Sequence, residues 1–378
     1  MYSTVIRSIY TTNFGVKPNE AILVFTDLTP PDEILTDSER CRRLRLRDIA
    51  MLTAEVGRSF SRKVCYLEYA ATGSHGVEPP LELWHAAFGP KAVAALAKSG
   101  LLQPVLNKTA PSELLLEAAS IIRKHASSAV NIVIALANYS TSHTRFREFL
   151  TRCCGARYAS MPLFDASMLE GALQVNWKNL ARRTRAIAKT VNEAESVEVT
   201  TPFGTRISFS KAGRKALPDT GILTRPDSFS NLPAGEVFFA PVEGTAKGTL
   251  VLFWGPTREF STPVTLTVKD GRVVEISGTD PYADILRAKL DERPENRNIA
   301  ELGIGTNERA VRPDNILESE KILGTIHIAL GDNSSFGGTV KAPYHQDFVF
   351  FRPTVTLISQ SGAKSLLMKN GLFCEAYP

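Results

Sequence analysis

The chain has 378 residues, of which 43% are hydrophobic and 22% are charged, and its formal net charge is +5. This composition is typical of a folded globular protein and excludes an intrinsically disordered one. The length predicts two or perhaps three domains. Basic residues cluster in segments 41–48 and 180–189, but apolar residues recur there at helical spacing. We therefore interpret both segments as exposed helix faces and expect no nucleic-acid partner.

The cysteines and the N-terminus bear on location. The five cysteines form no CxxC pair, and an odd number without a signal peptide fits reduced thiols in a cytoplasm. The N-terminus has no apolar signal region, and no run approaches eighteen uncharged apolar residues. We expect a cytoplasmic protein that does not associate with a membrane.

The first half of the chain alternates between strand-like and helix-like segments. Short apolar runs predict buried strands at 21–27, 62–70 and 130–139. Helical periodicity predicts helices at 35–60, 112–126, 146–154 and 168–191, and the first of these has Thr36 or Asp37 as its N-cap. This alternation predicts an α/β domain with a mainly parallel sheet. Neither GxGxxG nor GxxxxGK[ST] occurs, so nothing indicates nucleotide binding.

The pattern changes near residue 195 to short alternating strands with tight turns. Residues 201–205 and the Asp270-Gly271 dipeptide predict hairpin turns, residues 282–292 predict one helix, and further strands are expected at 324–330 and 346–351. We therefore predict an α/β N-terminal domain over residues 1–195. A β-rich α+β domain, which we expect to bind metal and carry catalysis, is predicted over residues 196–378.

Two of the six histidines bracket a glycine-rich loop in the second half. His327 precedes this loop, and His345 follows it in a His-x-Asp triplet with Asp347. Alternate residues of an extended segment project to the same face, so His345 and Asp347 can meet one metal ion. Imidazole nitrogens and a carboxylate are typical ligands of a catalytic divalent metal.

Two glutamates, Glu236 and Glu301, lie in apolar surroundings in the same half. A carboxylate buried there must be paired, hydrogen-bonded or metal-bound. Together with His327, His345 and Asp347 they form a donor set suited to two divalent ions, which would activate a shared water. A loosely bound or unbound carboxylate, Glu236 or Glu301, is the candidate general base, and the sequence does not choose between them.

The order of these residues, in PAGEVF, AELGIG, GTIHIALG and APYHQDFVF, resembles the thermophilic metal-dependent aminopeptidase family. The resemblance covers residues 228–351. It implies that Glu236, Glu301, His327, His345 and Asp347 bind two ions (Zn, Co or Mn). It also implies a short peptide substrate and a homodimer. On this basis the favoured hypothesis is a metalloaminopeptidase that removes the N-terminal residue of peptides with a metal-activated water.

Two departures from that family keep other hypotheses open. Ser334 stands where the family has a tyrosine thought to stabilise the tetrahedral intermediate, and the His327-to-His345 spacing is shorter than expected. The alternative is a non-haem Fe(II) ring-opening dioxygenase that uses His327, His345 and Asp347, since the chain also looks similar to the dihydroxypyridine dioxygenases, distant relatives of those peptidases. A binding protein that has lost turnover is a third hypothesis.

Several other polar residues have weaker claims to a role. Glu318 and Glu320 could flank the site, but the favoured interpretation is that they form the polar face of a short helix. Residues near the donors could orient substrate or a ligand imidazole, or be ordinary loop residues; these are Arg309, Asp332, Asn333 and Lys341. Tyr344 or a serine hydroxyl could replace the missing tyrosine. The four histidines of the first half show no ligand spacing, and we interpret them as surface or capping residues; they are His75, His85, His125 and His143.

Overall fold

The structure is a computed structural model, which describes residues 2–377. The chain divides into two compact units. The first runs to Gln174 and also includes Gly221–Pro233, and the second comprises Val175–Thr220 and the chain from Ala234 onward.

The helices of both units and the strands of the first unit have the following bounds. The helices are α1 (Tyr2–Ser8), α2 (Asp37–Gly57), α3 (Leu81–Phe88), α4 (Pro90–Lys98), α5 (Leu102–Leu106), α6 (Ser112–Lys124), α7 (Arg145–Cys154), α8 (Trp177–Asn192), α9 (Tyr282–Asp291) and α10 (Ile316–Ser319). The strands of the first unit are β1 (Ile22–Leu28), β2 (Val64–Ala70), β3 (Ile132–Ala135), β4 (Arg157–Ser160) and β8 (Phe229–Asn231).

The strands of the second unit form two antiparallel sheets. They are β5 (Ser196–Thr200), β6 (Arg206–Ser210), β7 (Leu217–Asp219), β9 (Glu236–Phe239), β10 (Lys247–Trp254), β11 (Glu259–Lys269), β12 (Arg272–Ser277), β13 (Ile299–Gly305), β14 (Ile326–Gly331), β15 (His345–Phe350), β16 (Thr354–Ile358), β17 (Lys364–Lys369) and β18 (Leu372–Phe373). One sheet has eight strands in the order β12-β11-β10-β6-β5-β16-β17-β18, and the other has five in the order β15-β14-β13-β9-β7.

The first unit is built on a parallel sheet in the order β2-β1-β3-β4-β8, which confirms the predicted α/β character. Helix α2 begins as predicted, because Thr36 accepts a hydrogen bond from the Glu39 amide and the Glu39 carboxylate binds back to Thr36. The predicted helix at 168–191 is shorter in the structure: residues 166–169 form one 3₁₀ turn, and α8 begins at Trp177 with Asn176 as its N-cap.

The second unit has the predicted β-rich α+β character. The turn between β11 and β12 lies at Asp270 and Gly271, which both have positive φ (49° and 75°), as the predicted two-residue hairpin requires. Its apolar core is formed by one face of each sheet, with α8 and α9 packed against it.

The division between the units differs from the predicted boundary at residue 195. Helix α8 precedes that boundary but belongs to the second unit, because its buried residues Ile187, Ala188 and Val191 pack in the core of the antiparallel sheets. The segment Gly221–Pro233 lies beyond the boundary but returns to the first unit, where it supplies the edge strand β8.

No helix among residues 2–377 has the length and apolar character needed to cross a membrane.

Candidate metal centre

All five predicted donors lie on one five-stranded sheet. Glu236 begins β9, Glu301 lies in β13, His327 lies in β14, and His345 and Asp347 lie in β15. Paired residues of neighbouring strands share a face, and the register pairs Asp347 with Ala329 and Ala329 with Glu301. The five side chains therefore share one face of the sheet.

The other face of this sheet is apolar. Intervening residues of the same strands, among them Leu302, Ile304, Ile328 and Phe348, are fully or almost fully buried in the core of the second unit. The period-two alternation of strands thus separates a packed face from a face that carries ionisable groups. The sequence strings ELGIG and HIALG encode this alternation directly.

Small residues separate the donors on their face. Ala329 lies between Glu301 and Asp347 in the register, and Gly303 lies opposite His327. A Cβ atom at Gly303 would come within 1.9 Å of Cε1 of His327 and within 2.0 Å of its Nε2. The imidazole therefore occupies the space that any other residue at position 303 would fill.

Glu301 is at the centre of the cluster. Its Oε1 is 3.3 Å from Nε2 of His327, and its Oε2 is 3.6 Å from Nε2 of His345. Asp347 Oδ1 is 3.5 Å from the same His345 nitrogen. Glu301, His345 and Asp347 each offer a ligand atom, and the three atoms lie within 4.8 Å of one another. One cation can be held at this spacing by carboxylate and imidazole donors.

Glu236 joins the cluster from β9, with Oε2 3.5 Å from Nε2 of His327. Its other oxygen, Oε1, accepts a 2.7 Å hydrogen bond from Nζ of Lys321. The Lys321 side chain is fully buried, and its Nζ also donates to Oε2 of Glu320 at 2.8 Å. Sequence reasoning missed this lysine and expected Glu320 on a polar helix face. The local string ESEK is typical of an exposed helix end, so it carries no signal of burial.

The tautomer of His345 follows from its surroundings. Nδ1 of His345 lies 2.7 Å from the backbone carbonyl of Asp332, which can only accept, so Nδ1 carries the hydrogen. When the imidazole is neutral, as a metal ligand must be, Nε2 is therefore the nitrogen with the lone pair, and it faces Glu301 and Asp347. A hydrogen bond of this kind commonly orients a metal-binding imidazole. Asp332, one of the residues singled out near the donors, makes this contact through its carbonyl, and its carboxylate accepts from the amides of Ser334 and Ala342.

The loop between the two histidines is held by a second set of contacts. The Asn333 side chain donates to Glu243 at 3.0 Å and accepts from the Val340 amide at 2.9 Å. This fixes Phe336, whose ring lies 6.0 Å from the His345 ring and 5.6 Å from the Phe238 ring, edge-on in both cases. An aromatic wall therefore borders the donor cluster.

The remaining predicted residues do not join the cluster. Ser334, at the position of the family tyrosine, hydrogen-bonds the Asp332 carboxylate, and Tyr344 packs against the apolar core. Arg309 and Lys341 are exposed. Glu318 is buried rather than part of a solvated helix face, because its carboxylate accepts hydrogen bonds from two backbone amides of the preceding loop.

The charges within the cluster change the protonation of both imidazoles. Burial lowers the pKa of His327, but the Glu301 hydrogen bond and the nearby carboxylates outweigh burial and raise it to about 9. Burial is likewise outweighed at His345, where Asp347 above all raises the pKa to about 10. Burial raises the pKa of Glu301 and opposes ionisation of Asp347, but the His345 charge holds the Asp347 pKa well below its usual range. Without a metal, the protons on the two imidazoles neutralise part of the acidic charge.

The residues present fit a divalent metal ion. Oε2 of Glu236 is buried and has no hydrogen-bond partner among residues 2–377, although it is a carboxylate oxygen next to an imidazole. Such an atom is costly to bury unless a cation or donor satisfies it. Two imidazoles and several carboxylates around that position are the donor types of catalytic Fe, Zn, Mn or Co sites.

Comparison with known proteins bears on the chemistry of this site. A sequence model of the 2,5-dihydroxypyridine 5,6-dioxygenase (NicX) family matches residues 166–361, which include all five donors. The chain belongs to this family. The 2,5-dihydroxypyridine 5,6-dioxygenase of Pseudomonas putida KT2440 is 28% identical over 182 residues, which are 44% of this chain and 52% of that protein. The match thus spans about half the length of this curated relative.

Two solved structures share the fold along nearly the whole chain. The structure of 2,5-dihydroxypyridine dioxygenase from Pseudomonas putida KT2440 gives a TM-score of 0.69 at 18% identity and covers 99% of this chain and 97% of that one. Wild-type AmpT from Thermus thermophilus gives a TM-score of 0.57 at 15% identity, with 99% of each chain covered. Both likenesses show the fold. The expected relation to the aminopeptidases is therefore a distant one, and the family membership favours an oxidoreductase over a hydrolase.

Proposed function

We propose that the protein is a non-haem Fe(II)-dependent dioxygenase that opens the ring of a dihydroxylated aromatic substrate of the dihydroxypyridine type. The NicX family match over residues 166–361 and the 28% identical relative support this proposal. The aminopeptidase hypothesis, favoured from the sequence alone, has in its support only a fold likeness at 15% identity. The dioxygenase alternative is therefore the better supported of the two.

The observation that supports the metal site of this proposal is the meeting of two imidazoles and carboxylates on one sheet face, and the family match over the same residues favours iron and O2 chemistry there. His327, His345 and Asp347 would hold the iron, and Glu301, which lies within 3.6 Å of both imidazole nitrogens, would be a further donor. Two histidines and a carboxylate are the ligand set of non-haem Fe(II) oxygenases. When bound, ferrous iron supplies open coordination positions and redox chemistry with O2.

The chain's own groups would bind and orient the substrate. The rings of Phe336 and Phe238 form an apolar wall beside His345, against which a flat aromatic ring can pack. The carboxylates of Glu301 and Glu236 lie on the same face, and whichever of them is not tightly bound to the ion can accept a proton from a substrate hydroxyl. Both oxygen atoms of O2 enter the ring-opened product, so the overall reaction needs no external reductant.

Oxygen uptake with metal counting tests the proposal. The purified chain is reconstituted anaerobically with Fe(II), and 2,5-dihydroxypyridine is added in the chamber of an oxygen electrode while the ring absorbance is followed. We expect one iron per chain and one O2 consumed per ring lost. His345→Ala should abolish this uptake, whereas the matched His85→Ala variant, at an exposed position in the first unit, should keep it.

The same preparation tests the aminopeptidase hypothesis. Zn-, Co- and Mn-loaded protein is incubated with aminoacyl-nitroanilides. Hydrolysis of these compounds by protein carrying two ions per chain, without O2 uptake on any dihydroxylated ring, would overturn the dioxygenase proposal.

A further inference from the structure

Lys321 is the feature of the site that neither the donor set nor the family match explains. Its side chain is fully buried, and its Nζ lies between Oε1 of Glu236 at 2.7 Å and Oε2 of Glu320 at 2.8 Å. A buried ammonium group is costly unless it is paired and hydrogen-bonded. Both carboxylates are themselves almost fully buried. The three groups therefore form a charge network beside the donor cluster.

Within this network the two carboxylate oxygens of Glu236 have different neighbours. Oε1 accepts from Lys321, while Oε2 has no hydrogen-bond partner in the described part of the chain and lies 3.5 Å from Nε2 of His327. A carboxylate held by one oxygen cannot rotate freely, so its second oxygen keeps a fixed direction. That direction is towards the imidazole of His327.

The lysine is anchored to the strand that carries Glu301. Its backbone carbonyl accepts from the Asn307 amide at 2.8 Å, just beyond the end of β13. The next carbonyl, of Ile322, presses against Gly305, where a Cβ atom would come within 2.0 Å of it. Gly305 in turn pairs with Glu236 in the sheet. Lys321 thus has a backbone position fixed relative to both glutamates.

We propose that Lys321 is a positioning residue of the metal centre, which holds Glu236 by one oxygen so that the other faces the ion, with Glu320 fixing the lysine from behind. This inference rests on the metal ion of the proposed function. It assigns Lys321 no contact with substrate or metal. Its effect on the ion must pass through Glu236, and this requirement makes the inference testable.

A double-mutant cycle on metal binding tests it without substrate. The dissociation constant of Co(II), a spectroscopic substitute for iron, is measured calorimetrically for wild type, Lys321→Met, Glu236→Gln and the double variant, with the visible absorption of bound Co(II) recorded for each. We expect Lys321→Met to weaken Co(II) binding at least tenfold and to change the absorption, but by less than threefold when Glu236→Gln is already present. Coupling of this kind is the signature of two residues that act together.

The control is Lys211→Met. Lys211 is a buried lysine of the same unit, and its Nζ donates to the backbone carbonyls of Ala194 and Arg214. This variant should lose stability but keep the Co(II) affinity and absorption. If Lys321→Met does not fold, the cycle is run with Glu320→Gln, which loosens the lysine from behind, and at least a threefold coupled effect is expected.

Each remaining result would overturn the inference. Binding by a folded Lys321→Met protein that is unchanged or tighter, with wild-type absorption, would show that the lysine does not position Glu236. A tenfold loss that persists in the Glu236→Gln background would show that it acts by another route, such as general stability. A wild-type chain that binds neither Co(II) nor Fe(II) would refute the proposed metal site itself, which the other outcomes leave intact.

Discussion

Gly303 controls the position of the His327 imidazole more directly than any other residue of the described chain. The backbone at Gly303 lies outside the positive-φ region, so alanine is conformationally acceptable there, and only its methyl group matters. That methyl group would lie 1.9 Å from Cε1 and 2.0 Å from Nε2 of His327, well inside van der Waals contact. Gly303→Ala must therefore displace the imidazole or distort β13.

The magnitude follows from the cost of overpacking. Forcing one methyl group into a packed site typically costs about 1–3 kcal/mol. His327 is almost fully buried between neighbouring strands, so the imidazole has little room to yield. If the added methyl group displaces the imidazole, a loss of binding free energy of this size makes the metal dissociation constant roughly 5- to 150-fold larger, since about 1.4 kcal/mol is a factor of ten.

The assay compares metal affinity with stability in two variants. Co(II) affinity is measured by calorimetry and unfolding by urea denaturation, for Gly303→Ala and for Gly255→Ala. Gly255 is a glycine of the same unit where an added Cβ atom would meet the Phe260 ring at 2.8 Å, away from the donors. Both variants should be less stable, but only Gly303→Ala should bind metal more weakly. Equal Co(II) affinity in the wild-type and Gly303→Ala proteins would refute the placement of His327 at the metal.

Three further predictions concern the cluster and its loop. Because His327 and His345 have pKa values raised to about 9 and about 10 without metal, both imidazoles are protonated at pH 7 and must lose those protons to bind an ion. Metal affinity should therefore rise between pH 6 and 8, with up to about two protons released per ion. Calorimetry in buffers of different ionisation enthalpy counts the released protons, and zero release would contradict the assignment of His327 and His345 as metal ligands. Phe336→Ala should raise KM for 2,5-dihydroxypyridine about five- to tenfold with little change in kcat, since the ring is proposed to pack beside the substrate and makes no bond to it. An unchanged KM would show that Phe336 does not contact the substrate. Asn333→Ala should raise KM in the same way without weakening Co(II) binding, because it frees the loop and leaves the sheet intact. A loss of Co(II) affinity by the same factor as the rise in KM would show that the loop and the metal site are not independent.

The sequence predicted the residues on the sheet face of this site, but it did not predict the residues that surround them. The donors could be predicted because strand alternation places residues of fixed spacing on one face, as His345 and Asp347 show. Lys321 could not be predicted, because its burial depends on Glu236, which lies far away in the chain and meets it only through the pairing of β9 with β13. Pairing between distant strands is a tertiary fact that a local string such as ESEK does not contain.

The first unit shows the same limit at the level of secondary structure. Its long helix α2 and the apolar strands β1 and β2 were predicted because each has a clear period and clear boundaries. The short helices α3, α4 and α5 were not predicted, because they have only eight, nine and five residues and proline and glycine lie at their boundaries or within α5, so little helical period can be recognised. Their packing against the parallel sheet, more than their local sequence, stabilises them.

The donor face by itself does not choose between dioxygenase and aminopeptidase chemistry. Imidazoles and carboxylates on a sheet suit water activation and O2 chemistry alike. The loop between His327 and His345, unlike the donor strands, bears on the choice of substrate. Ser334 hydrogen-bonds the Asp332 carboxylate, and Phe336 presents an aromatic edge to His345. A flat ring can pack on that edge, whereas a peptide chain gains no hydrogen-bond partner from it. Substrate choice is therefore expected to follow the loop, and metal binding to follow the strands.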